Sequence, residues 1–253
     1  MSPDENLAAD WRNAAAYAPL LDADRSVFAW EWLRRDPLYR QAAEGTSCRT
    51  WSPLAERWGL VAFESASLPG PAARPVWSAA AYPPVLPVVA SGPASAADTF
   101  DLEQLAALST IVAVPGRGEH LLISDGRRTV RLDVLAGTLA SGPVELRYLL
   151  NGLAAAEQPL LTLRRFLALA RTGDFARSLH PREPRARRWV LMLRAWDAAC
   201  AGADQRHTAE ELLSRTAGEK RWRSLTPSLR SQAQRLVHAA RRMAAGAWRD
   251  LLQ

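Results

Sequence analysis

The chain has 253 residues, 48% of them hydrophobic, and a formal net charge of +6. That is enough for two small domains or one large one with a real apolar core, and it excludes disorder over the whole chain. The longest apolar-leaning run, SAAAYPPVLPVVASGPASAA (78–97), is broken by prolines and a glycine, so no window of about 20 apolar residues can cross a bilayer as a helix.

The start, MSPDENLAAD, is acidic and has neither a basic leader nor an apolar one, which predicts a cytoplasmic protein. Residues 10–63 are rich in aromatics: Trp11, Tyr17, Phe28, Trp30, Trp32, Tyr39, Trp51, Trp58 and Phe63. Asp24 or Ser26 can cap a helix VFAWEWLRR, which Asp36-Pro37 ends, and LYRQAAE forms another short helical piece. Aromatics at helical spacing could stack on bases, but each buries a large apolar area, so a core is expected. Asp22, Asp24 and Arg25 read as capping residues, not as a metal site.

Residues 64–99 shift to Pro, Ala, Ser and Gly and read as a linker with one strand at PVLPVVA. A β pattern follows in TIVAV (110–114), EHLLIS (119–124), RTVRLDV (128–134) and PVELRYLL (143–150), with a turn at Asp125-Gly126. In RTVRLDV, Val130, Leu132 and Val134 share one face and Arg131 and Asp133 the other. A small antiparallel sheet is expected.

From Pro159 the pattern is helical. LLTLRRFLALART (160–172) stops at Gly173, REPRARRWVLMLRAWDAACAG (182–202) ends at Gly202, and DQRHTAEELLS (204–214) starts at the cap Asp204. A connection, RTAGEKRWRSL, leads to a helix over 226–244, TPSLRSQAQRLVHAARRMA, and a short last helix GAWRDLLQ.

Charge is uneven along the chain. Residues 1–150 carry a net −4 and residues 151–253 a net +10, which together make the overall +6. This asymmetry predicts a polyanion-binding C-terminal module that binds duplex DNA by itself. On the 226–244 helix Leu229, Ala233, Leu236, Val237, Ala240, Met243 and Ala244 form an apolar stripe. Thr226 caps it and Pro227 suits its first position. Ser228, Ser231, Gln234, Arg235, His238 and Arg242 lie away from the stripe, and Arg230 and Arg241 flank it. Between Lys220 and Arg249 there are eight basic residues and no acidic one, whereas an ordinary solvated face mixes signs.

A short helix, a connection and a longer cationic helix follow the order of a helix-turn-helix, although residues 214–225 are far longer than the usual turn of ~3 to 4 residues. Trp222 is expected to anchor this connection against the stripe near Leu229 or Val237. Arg221 and Arg223 beside it, with Arg241 and Arg242 at the far end, are expected on phosphates. Arg230, Ser231, Gln234 and Arg235 are expected to read bases.

WRNAAAYAPLL, FAWEWLRRDPLYR, LLTLRRFLALARTG, RARRWVLMLRAWDAACAG, HTAEELL, LRSQAQRLVHAARRM and AAGAWRDLLQ together resemble a proteobacterial transcriptional-regulator-like family. Its C-terminal domain, long of unknown function, is similar to the helix-turn-helix variant of excision and conjugative-transfer activators of integrative elements. That likeness implies double-stranded DNA as partner and DNA contact at Arg230, Ser231, Gln234, Arg235, His238 and Arg242. Relatives of those activators include antiactivators that bind protein, so a regulatory protein-binding module is the alternative. The Trp-rich segment is a second place for a protein partner.

The expected fold is α+β, with a regulator-like helical segment (1–63), a Pro/Ala-rich linker (64–99), a small antiparallel β region (100–150) and an all-α helix-turn-helix-like domain (151–253). Catalysis has no motif behind it. His120, His180, His207 and His238 are dispersed, Glu210 and Glu211 diverge on one helix, and GRGEH (116–120) reads as a hairpin turn. Cys48 and Cys200 stand outside any CxxC pair. No cofactor, metal or membrane is expected.

Overall fold

The computed structural model describes residues 10–93, 95, 98–213 and 227–253, the first three of the last segment by their backbone alone. The architecture is α+β: N-terminal helices, a central six-stranded mixed sheet and a C-terminal helical region.

Helix α1, Arg25–Leu33, starts at Asp24, as the sequence suggests, but the Asp24 carboxylate does not cap it. It accepts instead from the backbone N–H of Thr129, tying α1 to the sheet. Helix α2, Pro37–Ala43, has Pro37 in its first turn, where no N–H is needed, and Asp36 accepts from Leu38 and Tyr39. Trp11, Trp30, Trp32 and Trp58 are all buried, so the aromatic segment is core.

The sheet runs in the order β2-β6-β1-β5-β4-β3. Its strands are β1 Val85–Ser91, β2 Thr99–Phe100, β3 Ser109–Val114, β4 Gly118–Ser124, β5 Thr129–Ala136 and β6 Val144–Tyr148. The antiparallel sheet expected over 100–150 is corrected here in two ways. β1, from the stretch read as a linker, sits in the middle, and it pairs parallel with β5. Only then does β6 follow, antiparallel on the other edge of β1. The physical reason lies in the run VLPVVA, apolar on both sides: such a strand is stable in a sheet interior with both faces covered.

The same coverage explains β5. Val130, Leu132 and Val134 do share a face, but Arg131 and Asp133 on the other face are buried too. A second layer from 61–76, with Val61, Ala62 and Val76, lies over that side. Arg131 donates to the carbonyls of Trp77, Leu121 and Leu132 and to Asp133, so its guanidinium is satisfied inside the protein. The turn between β4 and β5 uses Gly126 at φ +87, where an added Cβ would lie 2.1 Å from the Pro71 carbonyl oxygen.

Four helices follow: α3 Glu157–Thr172, α4 Ala186–Cys200, α5 Gln205–Leu213 and α6 Pro227–Ala244. α3 ends at Gly173 in the left-handed conformation and covers the sheet with Phe166 and Leu169. Pro184 delays the start of α4 relative to the expected residue 182, because proline fits only at a helix start. At α5, Asp204 accepts from the His207 N–H, the expected cap. No helix among the described residues is long and apolar enough to cross a membrane.

One hydrophobic cluster joins the N-terminal helices to α4, α5, α6 and the final 3-10 turn Ala247–Leu251. Phe28 of α1 meets Trp189 of α4 with ring centroids 5.0 Å apart, and Trp77 meets Trp248 at 5.9 Å. The C-terminal helices therefore share a core with the N-terminal segment.

Candidate nucleic-acid interface

Helix α6 is amphipathic for a simple reason: Ala233, Leu236, Val237 and Ala240 recur at helical spacing, and all are buried against α4, α5 and α1. Met243 and Ala244 are half-buried at its end. The side chain of Leu229 lies outside the described residues. The other side of α6 is open, with Arg230, Ser231, Gln232, Gln234, Arg235, His238, Arg241 and Arg242 all exposed. The predicted site residues of the described part of α6 thus lie on one continuous face. Arg221, Trp222 and Arg223, and the side chain of Ser228, lie outside the described residues.

The charge of this face is of one sign. Arg25, Arg35, Arg49 and Arg182 each pair with a carboxylate. Among the described residues none is paired with Arg230, Arg235, Arg241 or Arg242. Arg241 and Arg242 stand in the last turn, where the helix dipole favours cations by about 0.3–1 kcal/mol whatever the function. Arg230 stands near the N-terminal end, where the dipole disfavours a cation, and the first turn holds no acidic residue. An external anion removes that local cost.

The platform beneath is cross-linked by buried ion pairs. Asp197 of α4 accepts a bidentate pair from Arg35 at 2.8 and 2.9 Å and a hydrogen bond from the Tyr17 hydroxyl at 2.7 Å. Arg35 and Arg34 also pair with Glu31. Burial by itself raises the Glu31 carboxyl, but the Arg35 and Arg34 guanidiniums outweigh it and hold the group down at about 2. Arg194 donates to the carbonyls of Trp11 and Arg12. Side chains of α4 are thus locked to the N-terminal segment on one side while α6 packs on α4 from the other.

Two arginines that the sequence reading passed over also reach this region. Arg187 and Arg188, in the first turns of α4, are exposed and border a groove whose far wall carries Gln232 and Arg235 of α6. The signal was present in RARR, a cationic run with no acid between Glu183 and Asp197. The four histidines remain apart from one another: His120 binds Asp133 in the sheet, His180 is buried, and His207 and His238 sit on different helices. Among the described residues no group of His, Cys, Asp or Glu has metal-binding geometry.

A helical domain that displays a one-sign cationic helix face on a fixed platform is the build of a nucleic-acid-binding regulator. Residues 149–253 match the family described as "T6SS, Transcription factor, DNA binding domain". Residues 10–61 match the "Proteobacterial transcriptional regulator-like domain". The chain therefore carries a DNA-binding transcription-factor domain together with a transcriptional-regulator-like domain. No curated protein matches the chain.

Proposed function

We propose that this protein is a transcriptional regulator that binds duplex DNA through α6, laid in the major groove with Arg230, Ser231, Gln234, Arg235 and His238 toward base edges. Arg241 and Arg242 then meet phosphates at its far end. The observation that carries this reading is the acid-free face of α6, whose four arginines have no carboxylate partner among the described residues and of which Arg230 also stands where the helix dipole disfavours a cation. A polyanion supplies the missing charge, and release of its counterions makes the binding salt-dependent.

The reading places the protein in the cytoplasm, with DNA as its partner and no catalytic step. The link to mobile elements rests on the sequence resemblance alone. A protein partner for the N-terminal segment would have to use surface residues other than most of its indoles, which are in the core.

Equilibrium binding of the full chain to duplex DNA over a salt series tests the proposal. The expected log-log slope is about −4 to −7, which corresponds to half or more of the eight basic residues between Lys220 and Arg249 meeting phosphates. A slope near zero, or capture of a protein with no binding to duplex, would replace it with the protein-gripping alternative.

A further inference from the structure

A second set of arginines adjoins the open face of α6. α4 and α6 pack side by side, and the groove between them has walls of Arg187 and Arg188 on one side and Gln232 and Arg235 on the other. Its floor is apolar, from Leu191, Leu213 and Leu236, and among the described residues no acidic one lines it. The three arginines have no carboxylate partner among the described residues. Their neighbour Arg185 shows the contrast: it pairs with Glu183 and lies over the ring of Trp189. One arginine of the RARR run is thus used internally, while two point outward in a turn that holds no acid.

Arg235 belongs to both surfaces, since it ends the open face of α6 and begins the groove wall. The other flank of α6 faces α5, where Arg230 stands beside Arg206. Arg206 is already paired with Glu210, so the α5 side holds less unneutralised charge than the α4 side. A helix in the major groove, about 12 Å wide, lies between two phosphate backbones, one on each flank.

We propose that Arg187 and Arg188 of α4 grip the phosphates of the DNA strand that runs along the α4 flank of α6. This rests on the reading that α6 enters the groove. It makes α4, which the buried Asp197 and Arg194 contacts hold to the N-terminal segment, a direct DNA-contacting element. The contact is to backbone only, so it fixes the docking angle of α6 without selecting a sequence.

The test uses the full chain, a mixed-sequence duplex and a salt series, with site selection from random DNA alongside. Arg187→Ala/Arg188→Ala is expected to make the log-log slope shallower by about 1.8, roughly 0.9 per lost phosphate contact, with the selected site unchanged. Arg187→Lys/Arg188→Lys keeps the charge and is expected to keep the wild-type slope. Arg117→Ala/Arg147→Ala removes the same charge from the sheet and is expected to leave the slope alone. Wild-type slope and affinity in the α4 alanine pair would overturn the inference and leave the reading of α6 standing. Equal loss in the sheet pair would reduce it to net charge, and a changed selected site would make α4 a base reader. Absence of salt-dependent binding by the wild type would remove the reading of α6, and this inference with it.

Discussion

Glu31 shows how much a single side chain carries in this molecule. It is buried in α1, accepts from Arg34, Arg35 and the N–H of Gly70, and through Arg35 it is linked to Asp197 of α4. Its carboxyl is held at about 2, below its ordinary value near 4.5, so the folded state favours the charged form. The stabilisation is therefore complete above about pH 4.5 and is lost as pH falls toward 2. Glu31→Gln keeps the shape and an acceptor for Gly70 but leaves two guanidiniums with less counter-charge. It is expected to cost about 3 kcal/mol at pH 7, with the gap to wild type closing on acidification. Urea unfolding at several pH values checks both the size and the sign. A gap that stays constant with pH would mean that lost packing, and not charge, is responsible.

Helix α6 is an element whose two sides follow from spacing alone. Ala233, Leu236, Val237 and Ala240 face the core, so Arg230, Gln234 and Arg235 must face out. Replacing Arg230, Gln234 or Arg235 with Ala is expected to relax sequence preference by about 1–3 kcal/mol for each lost bidentate base contact. Arg241→Ala and Arg242→Ala are expected to weaken binding evenly across sequences, each lowering the salt slope by about 1. Selection from random DNA separates these effects. Identical selected sites for wild type and the Arg230, Gln234 and Arg235 variants would move base reading away from α6. The sheet followed a different rule. Strands β3 to β6 were legible from alternation and turns, but the place of β1 was not, because strand order depends on pairing between residues distant in sequence. Alternation likewise separates Arg131 from Val130 without saying that a further layer covers Arg131.

At the scale of the whole molecule, the segments matching the regulator-like and DNA-binding families are packed into one core. Residues 151–253 alone would expose Trp189, which meets Phe28, and Trp248, which meets Trp77. An indole buries roughly 150–250 Å². At about 25 cal/mol per Å², uncovering two of them costs several kcal/mol, comparable with the ~5–15 kcal/mol that holds a domain folded. The fragment is therefore expected to lack a cooperative melt and to bind DNA more weakly than the full chain. Calorimetry and binding on both species check this. A fragment that melts sharply and binds with full affinity would show that the shared core is dispensable. By itself the sequence determined the helices α3 to α6, the burial of Trp11, Trp30, Trp32 and Trp58 and the cationic face, because each follows from local periodicity and charge. Only the tertiary structure decided that β1 is central and parallel to β5, that Arg131 and Glu31 are buried, and that Arg187 and Arg188 lie beside Arg235. These depend on which distant segments meet, and no local pattern of residues encodes that.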